Sequence, residues 1–77
     1  MSRFGDFVRV RRLKLEMTGV MFAKKVGVTT VQLANVETGK CLPKIGSVGS
    51  YANALNINKE ELLEIWIKDY EAKRKKK

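Results

Sequence analysis

The sequence has no histidine, one cysteine and one proline among its 77 residues. The lone Cys41 cannot form an intrachain disulfide, which suits a reducing compartment. Zinc sites need several cysteine or histidine ligands, so we expect no metal and no other cofactor. Histidine is the commonest general base, and no nucleophile–base pair or glycine-rich phosphate loop compensates for its absence. We therefore do not expect an enzyme.

Long apolar runs are also missing. The longest, Val20 to Ala23, is far too short to cross a bilayer or to form the core of a signal peptide. We expect a cytoplasmic protein without membrane contact. The chain length is enough for one domain and too small for two.

Acidic side chains are half as numerous as basic ones, 8 against 16, and the net charge is +8. Such an excess attracts polyanions, of which nucleic acid is the commonest. Segment 60–71 is acidic and should face away from a bound polyanion. The last five residues are all basic and repel one another, so we predict a domain over 1–72 and a disordered tail over 73–77.

Strand-like alternation is scarce, and helical spacing predicts an all-α bundle of five helices. In the first, Phe4, Val8, Leu13 and Leu15 recur at helix-like intervals. Asn58 and Glu61 have the spacing of a capping box at the start of the last. The predicted helices are 3–15, one between Thr18 and Gly27, one between Thr29 and Gly39, 44–55 and 58–72.

The second and third predicted helices have the spacing of a helix-turn-helix. Ala23 is small where the two helices cross, and Gly27 allows a sharp turn with positive φ. Leu33 and Val36 anchor the third helix against the second. This arrangement is the framework with which many regulators read DNA.

The sequence resembles the Cro/C1-type (XRE-like) helix-turn-helix family, which includes the lambdoid phage repressors, over about residues 4–63. The resemblance implies a lambda repressor-like domain with its third helix in the major groove. It also implies an ion pair between Arg12 and Glu37. Gly19 replaces the usual glutamine, and Val20 and Met21 replace polar residues, which adds apolar surface to helix two. The matching residues are Phe4-Gly5, Val8-Arg9, Arg12, Thr18, Ala23, Gly27-Val28-Thr29, Leu33, Glu37, Gly39, Pro43, Ala52, Leu55 and Ile57.

At 100° per residue, inward Leu33 and Val36 leave the opposite side of the third helix free to read DNA. This side has no arginine or lysine, the usual readers of guanine, so we expect an A·T-leaning operator. Phosphate contacts are expected from the helix starts and the loop after the third helix. The expected base contacts are Thr30, Val31, Gln32 and Asn35, and the expected phosphate contacts are Thr18, Thr29, Lys40 and Lys44.

The apolar residues of the fifth helix cover an arc of roughly 200°, wider than the ~100° of one core stripe. We expect part of this arc, including Trp66 or Ile67, to be exposed in a monomer. A homodimer with Trp66, Ile67 or Tyr70 at its seam would bury it, and two-fold symmetry would match a palindromic operator. Alternatively, the domain uses the whole arc for its own core.

These patterns predict a sequence-specific regulator that binds double-stranded DNA, most simply a repressor. The alternative is an antitoxin-like or other interaction module that binds a partner protein as well as DNA. Val20, Met21 and the fifth helix would supply its partner surface.

Overall fold

Five α-helices and one 3₁₀ turn form the fold in the computed structural model, which describes residues 3–75. The described residues contain no strand, so the all-α prediction is confirmed. The elements are α1 (Arg3–Lys14), α2 (Gly19–Val26), α3 (Thr30–Glu37), the 3₁₀ turn (Ile45–Ser47), α4 (Val48–Leu55) and α5 (Lys59–Lys75).

Local capping sets the limits of α2 and α3 as predicted. Thr18 Oγ1 accepts a hydrogen bond from the Met21 amide at 3.1 Å. Thr29 Oγ1 accepts one from the Gln32 amide, also at 3.1 Å. Between the helices Gly27 has φ of 91°, and its amide donates to the Ala23 carbonyl at 2.8 Å. Because this φ favours glycine, Gly27 makes the sharp turn into α3 possible.

Two predicted helix limits are wrong. Lys44 is extended, with φ of −64° and ψ of 150°, and α4 begins only at Val48, after the 3₁₀ turn. Such turns are frequent at helix N-termini, and Gly46 disfavours an α-helix there. At the other end, α5 continues to Lys75, beyond the predicted limit at residue 72. Basic residues favour the C-terminal end of a helix dipole. Residues 76–77 of the predicted tail lie outside the described residues.

The core surrounds Tyr51, whose side chain is buried between two other aromatic rings. Its ring centroid lies 5.8 Å from that of Phe4 and 6.0 Å from that of Phe22. The pairs of helices that pack together include α1 with α3, α4 and α5, and α2 with α3 and α4. The helix-turn-helix thus rests on a support made by the other three helices. The buried apolar residues are Phe4, Val8, Met17, Phe22, Ala23, Leu33, Val36, Val48, Tyr51, Ala52, Leu55, Leu62 and Trp66.

The helical pattern of α1 holds for Phe4 and Val8 but not for the two leucines that follow. Leu13 is 51% exposed and Leu15 is 39% exposed. At 100° per residue, Leu13 lies about 140° around the helix from Val8 and so points away from the core. Leu15 comes after the last residue of α1.

Two long-range contacts fix the start of α1. The Phe4 amide, which has no partner within its own helix, donates to the Asp69 carboxylate on α5 at 3.2 Å. Gly5 faces the end of α3, where an added Cβ would overlap the Val36 carbonyl oxygen and lie 2.9 Å from that of Glu37. The start of α1 is therefore held against both α3 and α5.

Candidate nucleic-acid interface

The exposed side of α3 is polar and uncharged. Leu33 and Val36 are 2% and 3% exposed, and this burial turns the opposite side of the helix outward. Val31 is 68% exposed, whereas Asn35 is half-buried at the edge of the surface. No charged residue occurs from Thr30 to Val36. The surface offers hydroxyl, amide and apolar groups, the types that contact adenine and the thymine methyl group.

Gln32 has a structural role that sequence reasoning missed. Its Oε1 accepts a hydrogen bond from the Thr29 amide at 3.1 Å and completes a capping box. This bond occupies one of the two lone pairs of Oε1, while both Nε2 hydrogens stay available to a base. Bidentate pairing with adenine, which uses both the oxygen and the nitrogen of the amide, therefore has to share Oε1 with the box.

The threonines that cap the N-termini of α2 and α3, Thr18 and Thr29, are both exposed. The oxygens of Thr18 and Thr29 accept backbone amides, so each hydroxyl hydrogen stays available to donate. Hydroxyls and helix N-termini are common donors to phosphate oxygens. This geometry suits the phosphate contacts that the sequence suggests for these two residues.

The loop after α3 carries the two lysines expected at the DNA backbone. Lys40 and Lys44 are both exposed. The Lys40 amide donates to the Asn35 carbonyl at 2.9 Å, and Gly39 turns the chain with φ of 83°. Lys44 and Gln32 line the same cleft, which has a volume of about 430 Å³. The structure therefore brings Lys44 beside the α3 surface.

Arg12 anchors the end of α3. Its Nε donates to Glu37 Oε2 at 2.7 Å and its Nη2 donates to Oε1 at 3.1 Å. Its Nη1 donates to the Met17 carbonyl at 2.8 Å. The hydrogen bond to Glu37 raises the pKa of Arg12, although burial of the guanidinium opposes it. The pair neutralises Glu37, the one acidic residue between Thr30 and Ser47.

A protein-family model described as helix-turn-helix matches residues 8–62, more than half of the chain. The chain belongs to the Cro/C1-type (XRE-like) helix-turn-helix family. It is a DNA-binding transcription regulator of the XRE type, from a family that is typically non-enzymatic. A comparison with curated proteins found no match.

Among the described residues of this helix-turn-helix protein, no helix has both the length and the apolar character needed to cross a membrane. Within the same residues, no group of three or more cysteine and acidic side chains could hold a metal ion.

The three residues expected at a dimer seam differ in their exposure. Ile67 and Tyr70 on α5 are 38% and 44% exposed. Trp66 is only 8% exposed, so of the two residues given as alternatives for exposure in a monomer, Trp66 or Ile67, it is Ile67 that is exposed. The Trp66 ring stacks on that of Tyr70 with centroids 5.0 Å apart, and its indole Nε1 donates to the Pro43 carbonyl at 2.9 Å. A buried indole needs such an acceptor, but the sequence did not indicate which one.

The apolar exterior predicted for α2 is present. Val20 is 55% exposed and Met21 is 49% exposed. Met21 also lines a second groove of about 430 Å³ together with Leu15, Met17 and Lys25. This part of the helix-turn-helix is more apolar than the α3 surface.

Proposed function

We propose that this protein is a repressor that binds an A·T-leaning palindromic operator as a homodimer, with α3 in the major groove. The observation that carries the proposal is the exposed, uncharged surface of α3, which Thr29 borders at the start of the helix and Lys44 borders across the cleft that Gln32 also lines. The surface supplies groups that read base edges, and its border supplies donors for phosphates.

The distribution of charge also supports binding of DNA on the α3 side of the fold. Five of the eight acidic residues lie on α5, which packs on α1 and α4, whereas α3 packs on α1 and α2. Residues 1–58, which contain the helix-turn-helix, have nine basic side chains against three acidic ones. A polyanion bound at α3 therefore meets the basic part of the chain.

The dimer is proposed from Ile67 and Tyr70, the apolar side chains that α5 leaves exposed. Two-fold pairing would bury them and place two α3 helices about 34 Å apart, one turn of DNA. Repression then requires only that the dimer occupy a promoter, because occupancy excludes other proteins.

Selection of duplexes from a random pool, followed by sequencing, tests this proposal. We expect an A·T-leaning palindrome with half-sites spaced by one helical turn. A reporter promoter that overlaps the selected site should lose expression when the protein is present. Recovery of random sequences would contradict specific readout, and increased expression would contradict repression.

An antitoxin-like role is the second candidate, favoured by exposed Val20 and Met21 beside the groove that Leu15 and Lys25 also line. A partner protein seated there would cover this apolar surface. Co-expression with the product of a neighbouring reading frame, followed by purification, tests the idea. Met21→Glu should abolish a complex formed through this surface and leave DNA binding intact.

A further inference from the structure

Trp66 connects α5 to the loop that carries Lys44. Its indole N–H donates to the carbonyl of Pro43, which directly precedes Lys44 and lies 23 positions away along the chain. The acceptor is a loop carbonyl rather than part of a helix. The hydrogen bond therefore acts on the position of a surface loop as well as on the core.

This contact holds the part of the loop that other hydrogen bonds leave free. At the start of the loop, the Lys40 and Cys41 amides donate to the Asn35 carbonyl at 2.9 and 3.4 Å. At its end, the Ser47 amide donates to the Lys44 carbonyl at 2.8 Å, within the 3₁₀ turn itself. Pro43 has no amide hydrogen to donate. Its carbonyl is thus the point at which Trp66 can tie this stretch to the rest of the fold.

The indole is itself held in place. Its ring is nearly parallel to that of Tyr70, with an angle of 8° between the planes. Trp66 is 8% exposed, so the packing around its ring restricts the direction of its N–H. A donor fixed in this way sets the position of the Pro43 carbonyl, and hence the direction in which the Lys44 side chain leaves the loop.

We propose that Trp66 is a positioning residue for DNA binding, which acts by holding the Pro43–Lys44 peptide so that Lys44 faces the phosphate backbone beside α3. The inference rests on the proposed function, because it requires a duplex bound at α3. It assigns to α5 a part in DNA affinity, although Trp66 itself touches no DNA.

The test measures affinity and its salt dependence on the duplex selected by the wild-type protein. The first variant is Trp66→Phe, which keeps an aromatic ring and removes the donor. The second variant replaces Trp66 with benzothienylalanine, which keeps the bicyclic shape and also lacks the N–H. We expect either change to weaken binding about 3- to 10-fold, because Lys44 would lose one hydrogen bond to a phosphate. The slope of log affinity against log salt should fall by about 1, as for the loss of one phosphate contact.

The Lys44→Ala variant tests whether Trp66 affects DNA affinity through Lys44. It should reduce the salt slope by the same amount, because the same phosphate contact is lost. In the Lys44→Ala background, loss of the Trp66 donor should change affinity less than twofold. Asn58→Ala is the matched control for destabilisation of α5, since Asn58 Oδ1 caps this helix by accepting from the Glu60 amide at 3.3 Å. It should lower the melting temperature and leave the salt slope unchanged.

The outcomes separate the two proposals. A wild-type protein that selects no duplex overturns the proposed function and this inference together. If the wild-type protein binds and the benzothienylalanine variant keeps its affinity and salt slope, the positioning role alone is overturned. An equal loss with and without Lys44 also overturns it, because Trp66 would then act only through general stability.

Discussion

Arg12 and Glu37 join α1 to the end of α3 by two hydrogen bonds, of 2.7 and 3.1 Å between guanidinium and carboxylate. Their side chains are only 12% and 9% exposed. Removing one member leaves the other charge poorly solvated, which costs more than the intact pair contributes. Stability should therefore fall most when only one member of the pair is removed.

Arg12→Ala should lower the free energy of unfolding by about 3 kcal/mol, the cost of leaving a buried carboxylate unpaired. Chemical denaturation measures the loss. The double variant Arg12→Met with Glu37→Leu is the control, since it removes both charges and should recover most of the stability. An unchanged unfolding midpoint for Arg12→Ala would rule out this role for the pair.

Gly5→Ala should destabilise the fold by about 2–4 kcal/mol, because the added methyl group overpacks the contact between α1 and α3. The obstructing atoms are the backbone carbonyls of Val36 and Glu37, which cannot rotate away as side chains can. Gly46→Ala provides the comparison, since its added Cβ meets nothing within 4 Å. Thermal unfolding should show a large loss for the first variant and a small change for the second.

Val31→Ala and Asn35→Ala should each weaken binding to the selected operator by about 1–3 kcal/mol, because each removes a proposed base contact. Binding to random duplex DNA should change little, since phosphate contacts dominate there. Titration of both duplexes at one salt concentration makes the comparison. Equal losses on the two duplexes would mean that these side chains do not read bases.

The buried Tyr51 predicts a loss of stability in alkali. Desolvation raises the pKa of its phenol to about 12 in the folded chain, with smaller contributions from Cys41 and Glu37. The unfolded chain releases this proton near pH 10, so the unfolded state binds fewer protons than the folded state between about pH 10 and 12. Stability should therefore be intact below pH 10 and fall by about 2–3 kcal/mol as the pH rises through this range.

Tyr51→Phe isolates this effect, because it keeps the buried ring and removes the ionisable group. Its denaturation midpoint should fall less between pH 10 and 12 than that of the wild-type protein. In a pH titration followed by phenolate absorbance, this variant should also lack the most alkaline step, which belongs to Tyr51. Identical pH profiles for the two proteins would show that Tyr51 does not hold its proton in the folded state.

Ile67→Glu should weaken assembly on a full palindromic site, because it places charge in the proposed seam. We expect two wild-type chains per full site and one per half-site, measured by sedimentation of the complexes. The variant should keep its half-site affinity and lose most of the gain that the second half-site provides. One wild-type chain per full site would exclude the dimer.

Local sequence signals determined most of the helix-turn-helix. Thr18, Thr29 and Gly27 act on amides and carbonyls within a few positions, so their roles could be read without knowing the rest of the fold. The inward direction of Leu33 and Val36 also follows from helical geometry. The family resemblance, in turn, indicated that Arg12 and Glu37 would meet across 25 positions.

Only the tertiary structure decided how α5 is used. Apolar periodicity shows that Trp66, Ile67 and Tyr70 share a broad arc, but not which part other elements cover. The arrangement of α5 relative to the loop buries Trp66 against Pro43 and leaves Ile67 partly exposed. The Asp69 contact with the Phe4 amide joins positions 65 apart, and the close approach at Gly5 depends on the crossing of two helices. Such contacts depend on the relative placement of distant elements, which the local spacing of residues does not encode.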